Sequence, residues 1–140
     1  MHIRRLSLRY FRNYNRLEID LPATSILLVG ANAQGKTSLL EAIACLALGS
    51  SPLTHTDQHL IYWQAAKSGM PFAHLQTEVV RCDRVIQIEI ALERTETSNG
   101  TRLNKRIRVD QRTIRRSDLA GHLNVVLFLP EDVVLVSGSP

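Results

Sequence analysis

An α/β fold, with a mixed central sheet and an added antiparallel β layer, is the class that this 140-residue sequence predicts. Three observations carry it. The continuous apolar runs 26–29 and 125–129 read as strands covered on both faces. A glycine-bearing loop follows the first run and leads directly into apolar positions at helical spacing. Between the helix and the second run, residues 74–109 have the texture of strand, turn, strand.

Taken in order, Ile3, Leu6, Leu8 and Tyr10 mark an opening strand, and Leu17, Ile19 and Leu21 alternate with polar neighbours, so the two form a hairpin-like pair. Ile26 to Val29 is the expected central strand. From Lys36, the positions Leu39, Leu40, Ile43 and Leu46 define a helix that Gly49 and Pro52 end. Asp57 is placed to cap a short helix through Leu60, Ile61 and Tyr62. Strands are expected over 74–81, 85–94 and 102–109, with turns at Asp83 and at Ser98, Asn99 and Gly100. Ser117 can cap one helical turn before Gly121, and Val125 to Leu129 forms a last buried strand stopped by Pro130.

Composition narrows the possibilities. Hydrophobic residues make up 44% of the chain, enough for one domain with a real core. A net charge of +4 biases it mildly toward polyanions. No apolar run approaches the roughly 18 residues that span a bilayer, and the Arg-rich start lacks the apolar segment of a secretion signal. A soluble, cytoplasmic protein is the expectation. Cys45 and Cys82 are isolated, with no C-x-x-C spacing and no nearby histidine, so both read as reduced interior thiols rather than a disulfide or zinc site.

The strongest motif is "LLVGANAQGKTSLLEAI", residues 27–43, in which Gly30, Gly35, Lys36 and Thr37 fit G-x-x-x-x-G-K-S/T, the phosphate-binding loop or P-loop. Its expected nucleotide-binding segment is Gly30, Ala31, Asn32, Ala33, Gln34, Gly35, Lys36, Thr37 and Ser38. Backbone N–H groups from about Ala33 to Ser38 would surround phosphate oxygens, and glycines keep side chains out of the turn and the ligand's approach. The helix start adds its partial positive charge. Lys36 would reach the β/γ oxygens, the Thr37 hydroxyl suits Mg²⁺, and Ser38 could donate to the α-phosphate. ATP and Mg²⁺ are the implied ligands.

Hydrolysis needs more: an apolar strand ending in an acid that holds Mg²⁺ and activates water. "VVLFLPED" comes closest, but Pro130 separates the strand from Glu131 and Asp132, and these three read better as the start of a short helix. Glu89 in "QIEIALE" falls mid-strand, facing solvent. No catalytic carboxylate is assigned.

Three stretches, "RRLSLRYFRNYNRLEIDL", "LLVGANAQGKTSLLEAI" and "GHLNVVLFLPEDVVLVSGSP", together resemble the RecF family of bacterial recombination and repair ATPases, which belong with SMC-like and ABC-type heads. The likeness runs in one order through essentially the whole sequence. It implies a P-loop NTPase head of which residues 1–140 are the N-terminal ATP-binding lobe, without the helical lobe, signature motif and Walker B strand. It also implies ATP-dependent DNA binding in replication, recombinational repair and the SOS response. The implied DNA is gapped, with single-strand/duplex junctions, where the family helps to load the recombinase. Implied partners are a second head in an ATP-dependent homodimer and other recombination mediators. Hydrolysis is not expected of these residues alone.

By the same resemblance Arg12 sits where SMC-like heads carry an arginine near the nucleotide phosphates, while Tyr14 is expected to pack. Ala33 stands where the family loop usually has Gly, and a Cβ there is expected to cost about 1 kcal/mol in a positive-φ turn.

Two segments are rich in cations: Arg4, Arg5, Arg9, Arg12 and Arg16 at the start, and Arg102 to Arg116 with seven cations and one acid, Asp110. Either could be a DNA-backbone track or a solvated face. With aromatics at 5%, contacts would be to phosphates rather than bases. A nucleotide-kinase-type phosphotransferase uses the same loop but needs arginine-rich lid and acceptor segments, against which "FRNY" and "LFLPED" argue. An inactive truncated remnant is the remaining alternative.

Overall fold

The structure is a computed structural model that describes residues 1–67, 69, 71–82, 84–98, 100–129 and 132. Its frame is a six-stranded antiparallel sheet in the order β2-β1-β3-β4-β5-β6. β1 (His2–Phe11) and β2 (Tyr14–Asp20) form the expected hairpin, followed after the helical segment by β3 (Phe72–Arg81), β4 (Arg84–Thr97), β5 (Gly100–Val109) and the short β6 (Arg112–Ile114). Alternation decides the faces. Leu6, Leu8, Leu75, Val79, Ile86, Ile88, Ile90, Leu92, Ile107 and Val109 are all buried on one side, and the intervening polar residues occupy the other.

Helix α1 (Lys36–Leu48) lies on the apolar side, with Leu39, Ala42, Cys45 and Leu46 joining the sheet residues and Leu119 and Leu123 in one core. Small side chains at Ala42, Cys45 and Ala47 let its backbone approach the strands closely. Gly49 ends the helix at φ 72°, donating its N–H to Cys45 O at 2.7 Å, as the sequence predicts. A short helix α2 (Trp63–Lys67) precedes β3. Asp110 and Gln111 turn β5 into β6 at φ 46° and 65°, a two-residue hairpin loop that matches the strands' right-handed twist.

The α/β class and the antiparallel layer are present, but the segments expected as central strands differ. Among the described residues, 26–29 and 125–129 belong to no ladder. Leu27 and Val29 are 85% and 84% exposed, and Val126 and Phe128 are 85% and 78% exposed. A run that is apolar on both sides becomes a central strand only with a neighbour at each edge, and no described strand lies there to supply it.

Smaller differences have local causes. Residues 57–60 form a 3-10 turn flanked by Thr56 rather than capped by Asp57, whose carboxylate instead accepts from Lys105 Nζ at 2.8 Å. Ile61 leaves that turn to bridge Phe11. Ser117 lies within a second 3-10 turn, 116–119, and donates to Asp118 Oδ1 at 2.9 Å rather than capping it. Cys45 is buried as expected, and burial pushes its thiol up to about 12. Cys82 is exposed at φ 44°, in the turn between β3 and β4, and is not an interior thiol. The turn positions Asp83 and Asn99, and Pro130 and Glu131, lie outside the described residues.

Candidate nucleotide-binding site

The glycine loop leads into the N-terminus of α1. Gly35 is buried, occupies the N-cap position at φ 98°, and supplies no side-chain cap; the first turn carries no acid. The first N–H groups of α1 therefore have no side-chain acceptor, and the helix end keeps its partial positive charge. Ala33, two residues earlier, also takes a left-handed conformation at φ 64°. Left-handed residues next to right-handed ones turn successive N–H groups toward one centre, the arrangement that cups anions.

Lys36 folds back along the loop. Its ammonium donates to Gly30 O and Ala31 O, each at 2.7 Å, so the far end of the loop is brought to the helix start. Thr37 is exposed in the first turn, Ser38 is half-buried, and Ala31, Asn32, Ala33 and Gln34 are exposed. These residues fit a triphosphate: the helix end is uncapped and acid-free, and a positive side chain is anchored at the loop's centre. They also fit Mg²⁺, which is commonly held through one or two protein oxygens plus phosphates rather than a protein cage. Thr37 Oγ1 would be the protein oxygen. Among the described residues no group of three His, Cys, Asp or Glu side chains could hold a metal by itself.

The hairpin β1–β2 supports the loop from beneath. Tyr14 Oη donates to Gly35 O at 3.1 Å, and burial raises the pKa of this phenol, so it stays a neutral donor. A Cβ on Gly35 would lie 2.7 Å from Asn13 Nδ2 and 2.8 Å from Tyr14 Oη. The glycine is thus required twice, by its φ and by the close approach of the hairpin turn. Neither Asn13 nor Tyr14 was assigned to the site from sequence beyond packing. A tyrosine's spacing carries no sign of a loop brought against it from about twenty residues away in the chain.

Arg12 has partners the sequence did not indicate. Its Nε donates to Glu41 Oε2 at 2.7 Å, its Nη2 to Glu41 Oε1 at 2.5 Å, and its Nη1 to His59 O at 3.0 Å. Glu41, on α1, is 2% exposed and also accepts from Ser51 Oγ. Arg12 therefore does not stand free for phosphate; its guanidinium is the counter-charge of a buried carboxylate. The signal was present in "LLEAI", where one acid sits among apolar residues of a core helix and must have a partner.

Of the acids considered for hydrolysis, Glu89 and Asp132 lie among the described residues, and both are engaged. Glu89 lies on the sheet's polar face, 3.1 Å from His74 Nε2 and 3.5 Å from Arg108 Nη1, so it is half-buried and paired rather than simply solvated. Asp132 Oδ2 accepts from Leu129 N at 2.8 Å, closing a local turn.

Comparison with known proteins bears directly on this arrangement. A family model described as an AAA domain matches residues 5–132. The DNA replication and repair protein RecF of Chloroflexus aggregans is 46% identical over 100% of this chain and 37% of its own length. RecF of Halalkalibacterium halodurans is 39% identical over 100% of the chain and 34% of its own. The chain belongs to the RecF family. It spans roughly a third of the length of those relatives. Two solved structures, of the recombination mediator protein RecF with ATP and with ATPrS in the RecFOR pathway, share the family's fold with this chain at a TM-score of 0.80 and 26% identity. They cover 96% and 99% of the chain, and it covers 34% and 35% of theirs. The RecF family fold thus includes both the loop and the hairpin that braces it.

Removing one half of the buried pair is expected to be costly. Arg12→Ala should lower unfolding free energy by about 3 kcal/mol or more, because Glu41 is left charged and buried. Arg12→Met combined with Glu41→Leu should recover most of that loss. Urea denaturation of the two variants checks it, and an Arg12→Ala protein as stable as the original would contradict the pair's role.

Proposed function

We propose that residues 30–38 bind ATP by its triphosphate, with Mg²⁺ on Thr37, as the nucleotide-binding part of a DNA replication and repair ATPase. The observation that carries this reading is the uncapped, acid-free start of α1, with a glycine loop folded around the Lys36 ammonium. The names of the relatives and the ATP-bound neighbours support it.

In this reading the N–H groups of Ala33 to Ser38 donate to phosphate oxygens, and their fixed orientation means little reorganisation on binding. Lys36 exchanges its bonds to Gly30 O and Ala31 O for β/γ oxygens, or shares between them. Mg²⁺ neutralises phosphate charge when bound. The Tyr14 hydroxyl holds Gly35 O in place beneath the cup, with the Asn13 side chain lying beside it. Glu89 and Asp132 are engaged by other partners, so cleavage would draw on other groups.

The wider role follows the family. We propose ATP-dependent binding to gapped DNA at single-strand/duplex junctions, an ATP-dependent homodimer of heads, and cooperation with other recombination mediators in loading the recombinase and in the SOS response. A cytoplasmic location fits that role. No helix among the described residues is long and apolar enough to cross a membrane.

The test is titration with a fluorescent ATP analogue, with and without Mg²⁺. Saturable binding strengthened by Mg²⁺ is expected, weakened roughly tenfold to a hundredfold by Lys36→Ala through loss of a charge-assisted bond. Ala33 is already left-handed at φ 64° before nucleotide is present, so Ala33→Gly should change the stability of the loop by up to about 1 kcal/mol and leave affinity within about threefold. An affinity indifferent to Lys36→Ala would remove the proposal.

A further inference from the structure

Two arginine-rich segments compete as a contact surface for a polyanion, and their counter-charges separate them. In the first, Arg4 pairs with Glu78 at 2.6 Å, Arg5 with Glu18 and Asp20 at 3.5 and 3.8 Å, Arg12 with Glu41, and Arg16 with Glu18 at 2.8 Å. Only Arg9 of the five lacks a carboxylate among the described residues. Glu18 is held below the usual carboxylate range, first by its hydrogen bond from Arg16. This cluster is internally neutralised.

The second segment is not. Of its seven cations, Lys105 pairs with Asp57 at 2.8 Å and Arg108 with Glu89 at 3.5 Å. Arg102, Arg106, Arg112, Arg115 and Arg116 are exposed and have no carboxylate within salt-bridge distance among the described residues. Like charges gathered without counter-ions repel one another, and an external anion relieves that repulsion.

Topology gathers these groups along one border of the sheet. β6 pairs only with residues 107–109 of β5, so the border of β5 before Ile107 has no described neighbour. A groove of about 600 Å³ opens there, with Asn104, Lys105 and Arg106 on one wall and Thr113, Arg115 and Arg116 on the other. Among the described residues Glu93 is the single acid lining it. Arg116 is braced: its stem lies over Gly49 and its Nε donates to Leu48 O at 3.1 Å, while neither Nη group has a hydrogen-bond partner among the described residues.

We infer that this border, from Arg102 through Arg106 to Arg112, Arg115 and Arg116, is a track for the sugar-phosphate backbone of duplex DNA. The inference rests on the DNA reading above and gives that reading a surface. Arg102 and Arg106 share a face and lie about 13 Å apart along β5, close to four base pairs of helix rise. Among the described residues no aromatic side chain lines the groove, so it offers charge without base stacking. An acidic peptide added as a strand to β5 would send its carboxylates alternately to opposite faces. Cations on both groove walls fit a bulkier polyanion better.

The experiment measures duplex binding against salt concentration, using the protein as it occurs in its organism. The variant Arg102→Gln, Arg106→Gln, Arg112→Gln, Arg115→Gln should reduce the slope of log K against log[salt] by roughly three to four and weaken binding about a hundredfold or more at low salt. The same four positions changed to Lys should retain most of the slope, and ATP-analogue affinity should be unaltered in both. Arg4→Gln, Arg5→Gln, Arg16→Gln should bind duplex within about threefold of the original. The track is wrong if the four-glutamine variant keeps the original slope and affinity, if the N-terminal variant loses as much, or if polyglutamate displaces the duplex at lower concentration than competing duplex does. An original protein that binds no duplex at any salt would instead overturn the DNA reading itself, and the track with it.

Discussion

The ion pair between Arg12 and Glu41 is the constraint on which the rest of the site depends. Glu41 is buried on α1, where a carboxylate without a partner would carry a large desolvation cost. Arg12 meets it from a positive-φ turn position at 52°, so the β1–β2 turn is fixed against the helix. The next two residues then bear on Gly35, and the start of α1 is held where the loop must deliver its amides. His59 and Ser51 draw the chain after the helix into the same network. A buried pair of this kind costs desolvation and returns little net stability, but it fixes which turn meets which helix.

The loop itself combines three weak preferences into one strong one. A left-handed Ala33 and Gly35 bend the backbone, the helix start adds partial charge, and Lys36 supplies a full charge anchored on the loop's own carbonyls. None alone makes a phosphate site. Together they leave donors and positive charge converging on one place, with no acid in the first turn of α1 to fill it.

Much of this was legible in the sequence where the signal is local. Gly30, Gly35, Lys36 and Thr37 stand at fixed offsets between apolar runs, and the period of two at Ile86, Ile88 and Ile90 reports the buried face of β4 directly. What was not legible depends on distant partners. Arg12 was placed near the phosphates by the family resemblance, and nothing in "FRNY" names its partner Glu41; Tyr14 looked like packing because its bond goes to a loop backbone. The short β6 escaped because Arg112–Ile114 has only one apolar residue, and the Asp110–Gln111 turn relies on left-handed backbone without a glycine. The runs 26–29 and 125–129 were read as covered strands from composition alone, and composition does not say which segment does the covering. The two basic clusters were indistinguishable by residue count and became distinct only when each arginine's carboxylate could be named.

The most direct test of the central claim is the amide spectrum of uniformly ¹⁵N-labelled protein during addition of Mg²⁺ and a non-hydrolysable ATP analogue. Saturable shifts concentrated at the N–H groups of Ala33 to Ser38, with smaller ones at Asn13 and Tyr14 beneath them, are the result predicted. Shifts that leave those amides in place while moving resonances elsewhere would contradict it, because a triphosphate bound there must share their protons.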